Sequence, residues 1–170
     1  MARIAYPNIE SHELQPLVEK IKRERGKLPN LYRMLLNSPP VAEGWLAFLT
    51  SVRQQSHLSG RLREMVITRV AVLNGADYEF EAHAPLALKE GITEQQIQGL
   101  RSGDFSAFDG FDRGVLAYCD SMTQAVQVPQ SIFDIIKTGL NEREVVELTA
   151  TIAAYNLVSR FLEALQIDHE

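Results

Sequence analysis

Apolar residues recur along the chain at three- and four-residue intervals, the spacing that lines one face of an α-helix. Leu14, Leu17, Val18 and Ile21 mark a first helix, which Ser11 can cap and Gly26 can end. After Pro39-Pro40, Trp45, Leu46, Phe48, Leu49 and Val52 form an apolar, aromatic helix, and Ser59 precedes another from about Arg61 to Leu73. Thr93-Glu-Gln-Gln96 and Asn141-Glu-Arg-Glu144 read as capping boxes, the second opening a long stretch with Val145, Leu148, Ile152, Leu157, Phe161 and Leu165. Val115, Leu116, Tyr118 and Met122 mark a further helix, and Ile132 to Leu140 a shorter one. No segment alternates with period two between hairpin turns, so the expected fold is all-α, a single helical domain over residues 1–170.

The helix from Arg61 to Leu73 is patterned on two sides. Leu62, Met65, Val66, Val70 and Leu73 form one stripe, while Ile67 and Ala71 lie opposite, together with Glu64. Such a helix is expected to be buried on both sides, by the core and by a neighbouring subunit that also covers the helix around Trp45. Glu64 is then either a carboxylate with little water around it or a solvated first-turn glutamate that favours the helix dipole. Arg63-Glu-Met-Val66 and Arg143-Glu-Val-Val146 open similar helices, a hint of a duplicated hairpin.

With 170 residues, 45% hydrophobic and 23% charged, the chain suits one globular domain. A net charge of -5 offers no basic footprint for nucleic acid and no polybasic patch for an acidic membrane. The first residues lack a signal-like apolar stretch, and no later run approaches the roughly 20 apolar residues that span a bilayer. With Cys119 as the sole cysteine, neither an internal disulfide nor a dithiol centre within one chain can form, and a cytoplasmic location is expected.

Candidate chemistry is densest in Asn74-Gly-Ala-Asp-Tyr-Glu-Phe-Glu-Ala-His-Ala-Pro85. Asn74-Gly75 signals a turn, and a helix from Asp77 would set Glu79 and His83 four residues apart on one face. A carboxylate beside an imidazole fixes its tautomer, as proton transfer requires. The same spacing also describes an ordinary surface pair worth a few tenths of a kcal/mol. Pro85 leaves the carbonyl of Glu81 without its helical donor, so a kink or restart is expected there. Arg69 falls on the apolar stripe, pointing into a cavity or interface or snorkelling at the core edge. Tyr155-Asn156 interrupts the last apolar helix and is a candidate pocket lining. His12, His57 and His169 are isolated, no histidine pair has metal-ligand spacing, and no metal is inferred.

Arg61-Leu-Arg-Glu64-Met-Val-Ile followed by Asn74-Gly-Ala-Asp-Tyr78-Glu79-Phe-Glu-Ala-His83 resembles the signature of the carboxymuconolactone decarboxylase-like family, which includes alkylhydroperoxidase D-type disulfide reductases. Leu31 to Pro40 and Val145 to Asp168 share the resemblance. It implies an all-α fold built around a helical hairpin, and assembly into trimers or hexamers. In the peroxidase branch a Glu, a Cys-x-x-Cys and a His form a proton relay. The Glu falls on Glu64 and the His on His83, but the cysteine positions hold Ala76 and Glu79, so a thiol relay is missing. The resemblance then implies a decarboxylase-like lyase or isomerase without cofactor, acting on a small organic acid or lactone. His83 is the candidate proton donor, Glu79 and Glu64 its partners, and Tyr78 and Arg69 the candidate substrate contacts. The alternatives are a peroxidase-like oxidoreductase using an external thiol and a non-catalytic ligand-binding member of the family.

Overall fold

Short-range signals decide where the helices begin and end. The computed structural model describes all 170 residues as nine helices with no strand, confirming the all-α expectation. The chain forms two compact units, Met1–Gln55 with Phe161–Glu170, and Ser56–Arg160.

The smaller unit holds α1 (Gln15–Arg25), α2 (Asn30–Leu35) and α3 (Pro39–Gln54). Ser11 does not cap α1. The helix starts at Gln15, where Pro16 in its first turn needs no hydrogen-bond acceptor, and Ser11 instead accepts from the amides of Leu14 and Gln15 through its carbonyl. Gly26, at φ 78°, ends α1 as expected. Arg25 ties the unit together, donating to the Tyr32 hydroxyl, the Leu46 carbonyl and Thr50 Oγ1. Trp45 packs on Phe161, with ring centroids 5.0 Å apart.

The larger unit holds α4 (Gly60–Leu73), α5 (Asp77–Lys89), α6 (Glu94–Ser102), α7 (Gly110–Gln124), α8 (Gln130–Gly139) and α9 (Glu142–Leu165) as far as Arg160. Both capping boxes form, around Thr93 with Gln96 and around Asn141 with Glu144. Ser59 caps α4 by accepting from the Leu62 amide. The two tetrads that open α4 and α9 diverge in use, since Glu144 closes a capping box and Glu64 is drawn inward.

α4 is the hub, packed against α5, α6 and α7, and every residue from Glu64 to Ala71 is buried. Its second apolar side, with Ile67 and Ala71, is therefore consumed within the chain's own core and needs no neighbouring subunit. Burying Met65, Val66, Ile67 and Val70 at about 1.5–3 kcal/mol each offsets the cost of also burying Glu64 and Arg69, provided both find partners. On α3, by contrast, Val41 and Phe48 are exposed.

Pro85 lies inside α5, which runs from Asp77 to Lys89 without restarting. Glu81 lies on the exposed side, where water can satisfy the released carbonyl. The long α9 is apolar enough over an 18-residue window to match a membrane span by length and composition, but 56% of that window is buried in the protein, as in a core helix.

Candidate active site

A three-residue turn, Asn74-Gly75-Ala76, folds α5 back onto α4. Gly75 takes a left-handed φ of 63°, and the amides of Asn74, Gly75 and Ala76 donate to the carbonyls of Val70, Val72 and Ala71. The Asn74 side chain donates to Asn156 Oδ1, and Asn156 in turn donates to Thr123 Oγ1, so the tip of the hairpin is pinned to α9 and α7. This clamp holds α4 and α5 in register.

In that register Glu64 of α4 and His83 of α5 meet. Glu64 Oε2 lies 2.7 Å from His83 Nδ1, a charge-assisted distance, with both residues almost wholly buried at 3% and 4% exposure. On the other side of the ring, His83 Nε2 lies 3.4 Å from Oε2 of Glu79, one turn earlier on α5 and 4% exposed. The first contact is a hydrogen bond; the second is a looser ion-pair contact. Tyr155 of α9 sets its ring edge-on to the imidazole, with centroids 5.0 Å apart and planes at 85°. Arg63 adds a further link, its Nε donating to Glu64 Oε1 at 3.2 Å. All these residues lie within the larger unit.

The arrangement has a defined polarity. One proton lies between Nδ1 and Glu64 whichever group owns it, so the ring is locked and Nε2 is the nitrogen free to exchange a proton. Glu79 stands beside Nε2 as a second proton acceptor. Among the predicted residues, the structure thus joins Glu64, Glu79 and His83. It does not bring Arg69 to them. The guanidinium of Arg69 is committed to Asp120 through Nε and Nη2, at 2.8 and 2.7 Å, and to the Leu100 carbonyl through Nη1 at 2.7 Å, with Phe105 beneath it. Tyr78 is buried on α5, but five residues before His83 it leaves the helix on another face.

Tyr155 was legible in the sequence only as a polar interruption of an apolar helix, and nothing local linked it to His83. Arg63 carried no separate signal, because adjacent residues on a helix usually diverge. Cys119 is fully buried on α7, its Sγ 3.8 Å from the Val66 carbonyl. Desolvation, reinforced by the neighbouring Asp120 charge, pushes its thiol far above the usual range, so it is an unreactive core residue. No group of three or more His, Cys, Asp or Glu side chains is placed to hold a metal ion.

Residues 39–110 match the carboxymuconolactone decarboxylase family model. No curated protein matches the sequence. Among solved structures, an uncharacterized peroxidase-related protein from Silicibacter sp. TM1040 is similar, with TM-score 0.84 and 18% identity over 99% of this chain and 92% of that one. An alkylhydroperoxidase AhpD core, an uncharacterized peroxidase-related protein from Ralstonia eutropha JMP134, superposes with TM-score 0.83 and 14% identity over the same shares. A cysteine-to-alanine variant of the debrominase Bmp8, in complex with 2,3,4-tribromopyrrole, gives TM-score 0.81 and 18% identity over 100% of this chain and 94% of that one. At these identities the structural likeness speaks for the fold.

Proposed function

We propose that this chain, whose residues 39–110 match the carboxymuconolactone decarboxylase family model, is a lyase or isomerase that moves a proton on a small organic acid or lactone. The observation that carries this reading is His83 held between two buried carboxylates, tightly by Glu64 and loosely by Glu79. In a decarboxylation the bond to the departing carboxylate breaks, its electron pair spreads into the remaining unsaturated system, and one carbon then takes a proton. Nε2 of the protonated His83 supplies that proton, Glu64 stabilises the ring while it is charged, and Glu79 returns a proton to Nε2. An isomerisation uses the same groups, with His83 removing a proton from one carbon and returning it to another. Side chains alone suffice for this chemistry.

The oxidoreductase alternative is disfavoured by Ala76 and Glu79 at the thiol positions and by the burial of Cys119. The test begins with a screen of small cyclic carboxylates and lactones for turnover. His83→Gln should lower turnover about 100-fold or more while leaving the helical circular dichroism unchanged, the scale for losing a general acid. The control His12→Gln alters an exposed histidine and should have no effect. Full activity in His83→Gln would sink the assignment, and saturable binding without turnover would favour the ligand-binding alternative.

A further inference from the structure

An anionic substrate approaching Glu64 and Glu79 meets like charge, so the proposed reaction needs a cation that the carboxylates have not already consumed. The helix that carries Glu64 offers three arginines, Arg61, Arg63 and Arg69. Arg61 is spent on Asp112, with Nη1 and Nη2 bonded to its two oxygens at 2.9 and 2.5 Å. Arg69 is spent on Asp120 and the Leu100 carbonyl. Arg63 differs from both: only its Nε is engaged, on Glu64 Oε1, and neither terminal nitrogen bonds to any protein atom.

Its place in the network is also distinct. The side chains of Glu64, Glu79 and His83 are 4–5% exposed, whereas that of Arg63 is 16% exposed. Arg63 is therefore the one member of the hydrogen-bonded chain Arg63–Glu64–His83 with appreciable access to solvent. Its Nε edge faces inward to the carboxylate, leaving the pair of terminal nitrogens to receive a second planar anion in the fork geometry that guanidinium offers.

We propose that Arg63 is the substrate-anchoring residue of this site, its terminal nitrogens holding the carboxylate of a small organic acid next to the Glu64–His83 pair. The inference rests on the proton-transfer reading above and assigns the cation that reading requires. Through Nε the anchor also touches Glu64, so an anion seated on Arg63 is linked to the imidazole through three successive hydrogen bonds. Planar rings that carry a carboxylate are the ligands that this anchor selects. Neutral rings of the same shape gain nothing from the anchor, which makes charge the basis of selection.

The test uses benzoate and benzamide, planar rings that differ in charge, titrated into the full chain with histidine ring nitrogens labelled with 15N. Benzoate should shift the His83 ring resonances saturably, and benzamide should bind at least about tenfold more weakly. Arg63→Gln should weaken benzoate about tenfold or more and leave benzamide and thermal unfolding unchanged, while Arg63→Lys, which keeps the charge but loses the fork, should fall between. The control Arg113→Gln, at an exposed arginine, should match the parent protein. Equal benzoate affinity in Arg63→Gln, benzoate binding that leaves His83 unmoved, or no benzoate binding by the parent protein each overturns the anchor. Those results leave the His83→Gln turnover test standing. Conversely, undiminished turnover in His83→Gln with an intact benzoate response removes the proton-transfer reading and keeps the anion site.

Discussion

Glu147→Gln should loosen the entry to the helix that carries Glu64. One oxygen of Glu147 on α9 accepts from Ser56 Oγ and from the amides of His57 and Leu58, at 3.0, 2.7 and 3.0 Å, while the other accepts from Arg143 Nε at 2.8 Å. Burial by itself would raise this carboxyl, but the bonds from Arg143, Ser56 and the two amides outweigh it and lower it from 4.5 to about 2. By linkage that difference corresponds to roughly 3 kcal/mol, and solvent screening at this partly exposed position reduces the expected contribution to about 1–2 kcal/mol. Since the folded-state value is depressed, the stabilisation is complete above pH 4.5 and disappears as the pH falls toward 2. Urea unfolding of the parent and Glu147→Gln proteins at pH 7 and pH 3 checks this. The parent should be more stable by about 1–2 kcal/mol at pH 7, and more than half of that difference should be gone at pH 3. A difference that is absent at pH 7, or that is the same at both pH values, would show that the carboxylate charge does not hold the Ser56–Leu58 segment.

Two further predictions concern the interior. Cys119 should resist a thiol reagent in the folded protein and react once urea unfolds it, and Cys119→Ser should leave any turnover unaltered; rapid labelling of the native protein would refute its burial. Asp120→Ala strands the buried guanidinium of Arg69 with only the Leu100 carbonyl and should cost about 3–5 kcal/mol in urea unfolding, much of it recovered when Arg69→Met is added. A loss below about 1 kcal/mol would mean that Arg69 readily finds water or another partner.

Much of the helix inventory was legible because its causes are local. Periodic apolar residues, the Ser59 cap and the two capping boxes act over three or four residues, and they located α4, α6 and α9 closely. Ser11 failed as a cap for an equally local reason, the start dictated by Pro16. The two-sided pattern of α4 correctly announced burial on both sides, but periodicity reports how much of a helix is covered and not by what. Here α5, α6 and α7 of the same chain surround it.

The same division runs through the candidate site. Glu79 and His83 share a face by helical spacing alone, so their proximity was already implied by four residues of sequence. The family resemblance singled out Glu64, yet the 2.7 Å bond from Glu64 to His83 depends on the register of α4 against α5, set by the Gly75 turn and the Asn74–Asn156 clamp. Tyr155 reaches the imidazole from a helix remote in sequence, and Arg69 is withdrawn from the site by Asp120 on α7. The sequence by itself determined which segments are helical and which polar residues lie along their buried faces. Only the tertiary structure decided which of those polar groups face one another, because a buried charge takes its partner from whichever helix packing brings within about 3 Å.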